Sequence, residues 1–122
     1  MRDSVTRRLI LESPYDFVYP KVGMNEILRH KALIKEKSGL SEDGFKAVFG
    51  ILLDYVELIP DKDLKSDMKE AKDIMGGIDE KDVVFVACAL AMGNCSIWSD
   101  DKDFKRQRRV QVRTTREMAD EL

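Results

Sequence analysis

The chain has one histidine, two cysteines, three prolines and one tryptophan in 122 residues. Each scarcity removes a class of chemistry. Cys88 and Cys95 stand seven apart with no Cys-x-x-Cys spacing and no histidine nearby, which leaves no zinc ligand set and no disulfide framework. They read as two reduced thiols of a cytosolic protein. A single histidine, His30, gives a hydroxyl or thiol nucleophile no general base within a recognisable motif. No glycine-rich phosphate loop is present, because Met75-Gly76-Gly77-Ile78 lacks the lysine and the preceding strand. The longest apolar run, Val83 to Met92, is ten residues, too short to span a bilayer, and the amino terminus does not read as a signal peptide. The expectation is a cytoplasmic protein with no membrane segment.

What is present is charge, at 36% of residues, balanced to a net −2, alongside 43% apolar residues, enough to build a core. One domain over residues 1–122 is expected, since neither a linker composition nor a repeat divides the chain. Apolar spacing predicts a helix from about Asp3 or Ser4 to Ser13, and a strand over 16–20. A helix over 23–37 ends at Gly39, and another is opened by Ser41 and carries Phe45, Val48, Phe49, Leu52 and Leu53. A strand over 56–60 leads to a charged helix with Leu64, Met68, Ala71 and Ile74 as its stripe, closed by Gly76-Gly77. A helix over 79–92 is apolar nearly all round and therefore central. Strands over 95–98 and 110–113, a short helix over 103–106 and a last helix capped by Thr114 or Thr115 complete the chain. Helices alternating with strands of about four residues indicate an α/β layered fold with a parallel sheet.

Ligands of such sheets bind beyond the carboxyl ends of the strands. The acids there are Glu26, Asp79 with Asp82, and the run Ser99-Asp100-Asp101-Lys102-Asp103. Carboxylates gathered at one edge repel unless a cation sits among them. Oxygen donors without cysteine or paired histidines select a hard cation, Mg2+ or Mn2+. Such an ion suits phosphodiester hydrolysis. Each acid also has a structural role open to it: Asp79 and Asp82 as a helix cap with its acidic partner, the Asp100–Asp103 acids as a polar turn, and Glu26 with His30 as a solvated i, i+4 pair. From Lys102 to Arg116 there are seven basic residues and one acid, a local charge of +6 beside the acids. Lys102, Lys105, Arg106, Arg108 and Arg109 are candidates to hold the phosphates of an RNA strand, the alternative being a solvated surface.

Ile78-Asp79-Glu80-Lys81-Asp82-Val83-Val84-Phe85-Val86-Ala87, followed by Ile97-Trp98-Ser99-Asp100-Asp101-Lys102-Asp103-Phe104, resembles the second half of a PIN domain. Tyr19-Pro20 with Asn25-Glu26-Ile27-Leu28, and the closing Val110-Gln111-Val112-Arg113-Thr114-Thr115, are similar too. The resemblance implies a three-layer α/β/α fold and a metal-dependent nuclease acting mostly on RNA, in a family that includes many toxins of toxin–antitoxin pairs. It makes Glu26, Asp82 and Asp101 the catalytic, metal-holding acids, Asp103 an auxiliary catalytic acid, Asp79 a secondary acid, and Ser99 the hydroxyl residue near the metal. Relatives open on a central strand ending in an aspartate. Met1-Arg2-Asp3-Ser4 resembles the stretch after it, so that strand and acid are missing from this sequence. The expectations that follow are a homodimer whose exposed sheet edges pair, an RNA substrate and an antitoxin partner, or alternatively a catalytically inactive module that binds RNA or protein.

Overall fold

The computed structural model describes residues 3–122, with side chains from residue 5 onward, so the cap expected at Asp3 or Ser4 falls outside the described side chains. Two compact units divide the chain, the first through Leu58 and the second from Ile59 to Leu122.

In the first unit, α1 (Asp3–Glu12) packs on α4 (Glu42–Tyr55), and Leu9 of α1 is fully buried. Between them lie β1 (Phe17–Pro20), α2 (Lys21–Arg29) and α3 (Lys31–Ser38). The apolar periodicity predicts one helix over 23–37; the structure has two. His30 takes φ −103° and ψ 23°, outside helical values, while the helical hydrogen bonds Ile34 N–H to His30 O and His30 N–H to Glu26 O persist at 3.0 Å. Hydrophobic spacing is blind to an interruption that leaves the bonding on either side intact. Gly39 ends α3 in the left-handed conformation (φ 72°), where a side chain would be strained.

Ser41 caps α4, its hydroxyl accepting from Gly44 N–H at 3.0 Å. Glu42 binds Lys31 at 2.5 Å and Lys35 at 2.6 Å, which ties α3 to α4, and Lys31 also lies over the Phe45 ring. The hydrogen bonds from Lys31 and then Lys35 hold the Glu42 carboxyl down at about 2. From Tyr55 the chain enters β2 (Val56–Ile59) without a loop, and β2 pairs with β1 in a two-stranded sheet.

The second unit is built around α5 (Met68–Met75) and α6 (Val83–Ala91). Ala71, Met75, Val86 and Ala87 have no exposed surface, and Leu64, Val110 and Phe104 close the core. The Phe104 ring meets Phe85 edge-on at 6.3 Å. The expected stripe Leu64, Met68, Ala71, Ile74 is only half observed. The segment begins as tight 3-10 turns over Asp61–Asp63 and Lys65–Asp67, and only then becomes helix. Three residues per turn instead of 3.6 shift the phase, so Met75 is buried and Met68 is exposed.

The helix expected over 79–92 is likewise shorter. Asp79 accepts from Lys81 N–H at 3.0 Å, two residues on, and this bond tightens Glu80–Asp82 into a 3-10 turn before α6 starts. Gly93 and Asn94, both left-handed, turn the chain out of α6.

β3 (Ile97–Trp98) and β4 (Val112–Arg113) pair in parallel, Ile97 opposite Val112 and Trp98 opposite Arg113. The α/β class and parallel pairing agree with the sequence, and the described strands form two two-stranded sheets. Both strands are shorter than the apolar runs suggest. Val110 is buried off the ladder, where Gln107 clamps its loop by accepting from Val110 N–H and donating to the carbonyls of Phe104 and Val110. The chain ends in α7 (Thr115–Ala119), where Thr114 and Glu117 form a reciprocal capping box. Thr114→Ala is expected to cost about 1 kcal/mol. A thermal midpoint lowered by a few degrees would register the loss, and an unchanged midpoint would refute it.

Candidate metal centre

Three carboxylates converge in the second unit. Asp79 stands at the entry to the 3-10 turn after α5, and Asp82 is the N-terminal flanking residue of α6. Asp103 lies in the 3-10 turn Lys102–Arg106 that follows β3. One oxygen of each lies within 4.8 Å of the others, and all three residues are half-buried. That spread is about twice the 2.3–2.6 Å of a Ca2+–oxygen bond.

Asp82 is the most perturbed member. Its Oδ2 is buried without a hydrogen-bond partner. Burial comes first among the causes that push its carboxyl up to about 6, followed by the charges of Asp79, Asp101 and Asp103, and then a hydrogen bond to Asp79 that only the protonated acid donates. The positive end of α6 favours the ionised form, yet desolvation and three like charges outweigh it. An orphaned buried oxygen among repelling carboxylates fits a hard divalent cation, which would hold Asp79, Asp82 and Asp103 ionised together.

The structure sorts the sequence candidates. Asp82 and Asp103 enter the cluster, with Asp79 as their third member. Asp101 acts on Asp82 through its charge, while its own Oδ1 accepts from Asp103 N–H at 2.9 Å and shapes the turn. Ser99 contributes in the same way, its Oγ accepting from Asp101 N–H at 3.0 Å. Glu26 belongs to the first unit, where its carboxylate is exposed, ion-paired with Arg29 at 2.6 Å and 3.3 Å from His30 Nε2.

The basic segment is partly neutralised. Arg109 binds Glu70 and Asn94, Lys105 faces Glu117 at 3.7 Å, and Arg106 faces Asp103 at 3.8 Å. Lys102 and Arg108 are exposed and form no ion pair among the described residues. No helix among the described residues is long and apolar enough to cross a membrane.

Asp100 has a role that sequence reasoning did not assign. Its two oxygens accept from the N–H and the hydroxyl of Thr115 at 2.8 and 2.7 Å, and the backbone N–H bond is the leading reason its carboxyl is held below the usual range. The only sequence signal was the run of acids, which does not say which acid bonds to Thr115.

A family model described as "PIN domain" matches residues 1–122. The chain matches no curated protein and no solved structure.

Proposed function

The chain belongs to the PIN domain family, a nuclease-type family, and from that premise we propose that it is a metal-dependent endoribonuclease whose centre is Asp79, Asp82 and Asp103. The observation that carries this reading is the buried, unpartnered Oδ2 of Asp82 inside a three-carboxylate cluster. Mg2+ or Mn2+, when bound, supplies an activated water and offsets charge on the scissile phosphate. Asp82, at the α6 entry, and Asp103, in the turn after β3, are the residues that would hold such an ion, each offering a carboxylate oxygen. Asp79 supports Asp82 and shapes the turn that presents it. Asp101 and Ser99 keep Asp103 in place through the backbone bonds of their turn. Lys102 and Arg108, exposed and in no ion pair among the described residues, would meet RNA phosphates, with Lys105, Arg106 and Arg109 available on exchange of partners.

The expected outcome is cleavage of single-stranded RNA in Mn2+ or Mg2+ that falls at least about a hundredfold in Asp82→Asn and Asp103→Asn, and less in Asp101→Asn. Equal rates in the parent and all three variants would sink the assignment. One observation favours a second reading, a module that binds RNA or protein without hydrolysis: Glu26, a metal-holding acid by resemblance, has its carboxylate taken by Arg29 and His30. Undiminished activity in Glu26→Gln removes that objection. A homodimer, an antitoxin partner and a cytoplasmic site of action extend the same proposal. Leu28, Leu33, Leu53 and Tyr55 are exposed apolar residues on the first unit's helices, positions at which substitution tests for such a partner.

A further inference from the structure

We propose that Asp100 and Thr115 are positioning residues that hold the turn bearing Asp103 in its metal-binding shape, an inference that rests on the reading of the acid cluster as a metal centre. Phe104 anchors the far end of the turn after β3 in the core, while the hydrogen bonds at its near end are mostly local. Asp101 N–H is bonded to Ser99 Oγ, and Asp103 N–H to Asp101 Oδ1, each spanning two residues on an exposed surface. Bonds of that range shape a turn but do not anchor it to the rest of the fold. One anchor is the ladder, through Ser99 N–H to Arg113 O at 3.0 Å. Beyond it stands the Asp100 carboxylate, which takes both the N–H and the hydroxyl of Thr115, the first residue of α7 and fifteen positions along the chain.

The direction of each proton in this anchor follows from the donor inventory. Trp98 Nε1 can only donate, and it donates to Thr115 Oγ1 at 2.9 Å. The Thr115 hydroxyl proton is therefore directed at Asp100 Oδ2. A closed circuit results: Trp98 at the end of β3, Thr115 at the start of α7, and Asp100 back in the turn, joined through the backbone of Ser99. Asp100 is engaged in this circuit by both oxygens, so it serves the centre from outside. Its neighbours Asp101 and Asp103 gain a fixed path. A ligand carboxylate must be held to within about half an ångström to bind well, and outer partners of that kind are worth about 10–100-fold in metal affinity.

Thr115 allows a clean test because its substitution changes no charge near the centre. Trp98, the only tryptophan, reports on the circuit in the same sample. Titration calorimetry with Mn2+ is expected to show about tenfold weaker binding in Thr115→Val, together with a shift in Trp98 emission of the metal-free protein. Thr115→Ser is expected to restore both. Asp100→Ala should weaken binding at least as much. Unchanged Mn2+ affinity in Thr115→Val and Asp100→Ala, with the parent binding well, overturns the positioning role and leaves the metal centre standing. Failure of Thr115→Ser to restore affinity also overturns it. No Mn2+ binding by the parent overturns the metal centre, and the positioning role with it. If Thr115→Val does not fold, Thr115→Ala carries the same comparison.

Discussion

Asp82→Asn is expected to raise the heat resistance of the metal-free protein at pH 7.5 while abolishing its gain in stability from Mn2+. The folded chain holds the Asp82 proton up to about pH 6, against an ordinary 3.8. Between those values the folded state binds more protons than the unfolded one, so stability falls as pH rises through the window and stays low above it. Asparagine has the same shape, carries no charge to desolvate, and can donate to Asp79 as the protonated acid does. Its advantage is therefore absent near pH 4 and complete above about pH 6.5. With solvent screening of a half-buried group allowed for, it amounts to about 1 kcal/mol, or roughly 3–5 °C in midpoint. Added Mn2+ reverses the order, because an ion at a hundred times its dissociation constant stabilises the parent by about 2.7 kcal/mol and the variant by nothing. Thermal unfolding in EDTA at pH 4.5 and 7.5, then in Mn2+ at pH 7.5, checks all three statements. The same midpoint difference at both pH values would refute the linkage, and equal Mn2+ stabilisation would refute the ligand role.

The sequence marks the neighbourhood of this centre more securely than its membership. Asp79 and Asp82, three apart at the mouth of an apolar helix, and the acids of Asp100–Asp103 after an apolar strand are visible as patterns, because helix entries and strand ends are where such residues gather. Which acid of the second group faces the first is not visible. In a turn of three residues per rotation, consecutive side chains leave in different directions. The direction of Asp100 is set by Thr115, whose proximity exists only after β4 has paired with β3. The same limit applies to α5, where two 3-10 turns rotate the helix and exchange Met68 for Met75 in the core. Hydrophobic periodicity assumes one constant rotation per residue, and each of these local tightenings breaks it. The α/β alternation survives because it depends on composition over whole segments.

Met75→Ala is expected to be strongly destabilising to the second unit, and to weaken the metal centre without touching a ligand. Met75 is fully buried on α5 in the core formed with α6, whose own Val86 and Ala87 have no exposed surface. Truncation to alanine removes three heavy atoms from the core, and neighbours fixed on a rigid helix cannot follow them inward. The cost is about 3 kcal/mol, the lost transfer energy together with the cavity left behind, which lowers the thermal midpoint by roughly 10 °C. The backbone of the same residue carries the consequence to the site: Met75 O accepts from both Ile78 N–H and Asp79 N–H at 2.9 Å. The segment that presents Asp79 therefore hangs from the last turn of α5, and a loosened turn lets that carboxylate drift from Asp82 and Asp103. Met75→Leu keeps most of the volume and is expected to cost less than about 1.5 kcal/mol, with Mn2+ affinity retained. Mn2+ titrations well below the midpoint of each variant separate the two effects. Weaker binding in Met75→Ala but not in Met75→Leu ties the acid cluster to the packing of α5, whereas equal binding in both would show that Asp79 keeps its place without it.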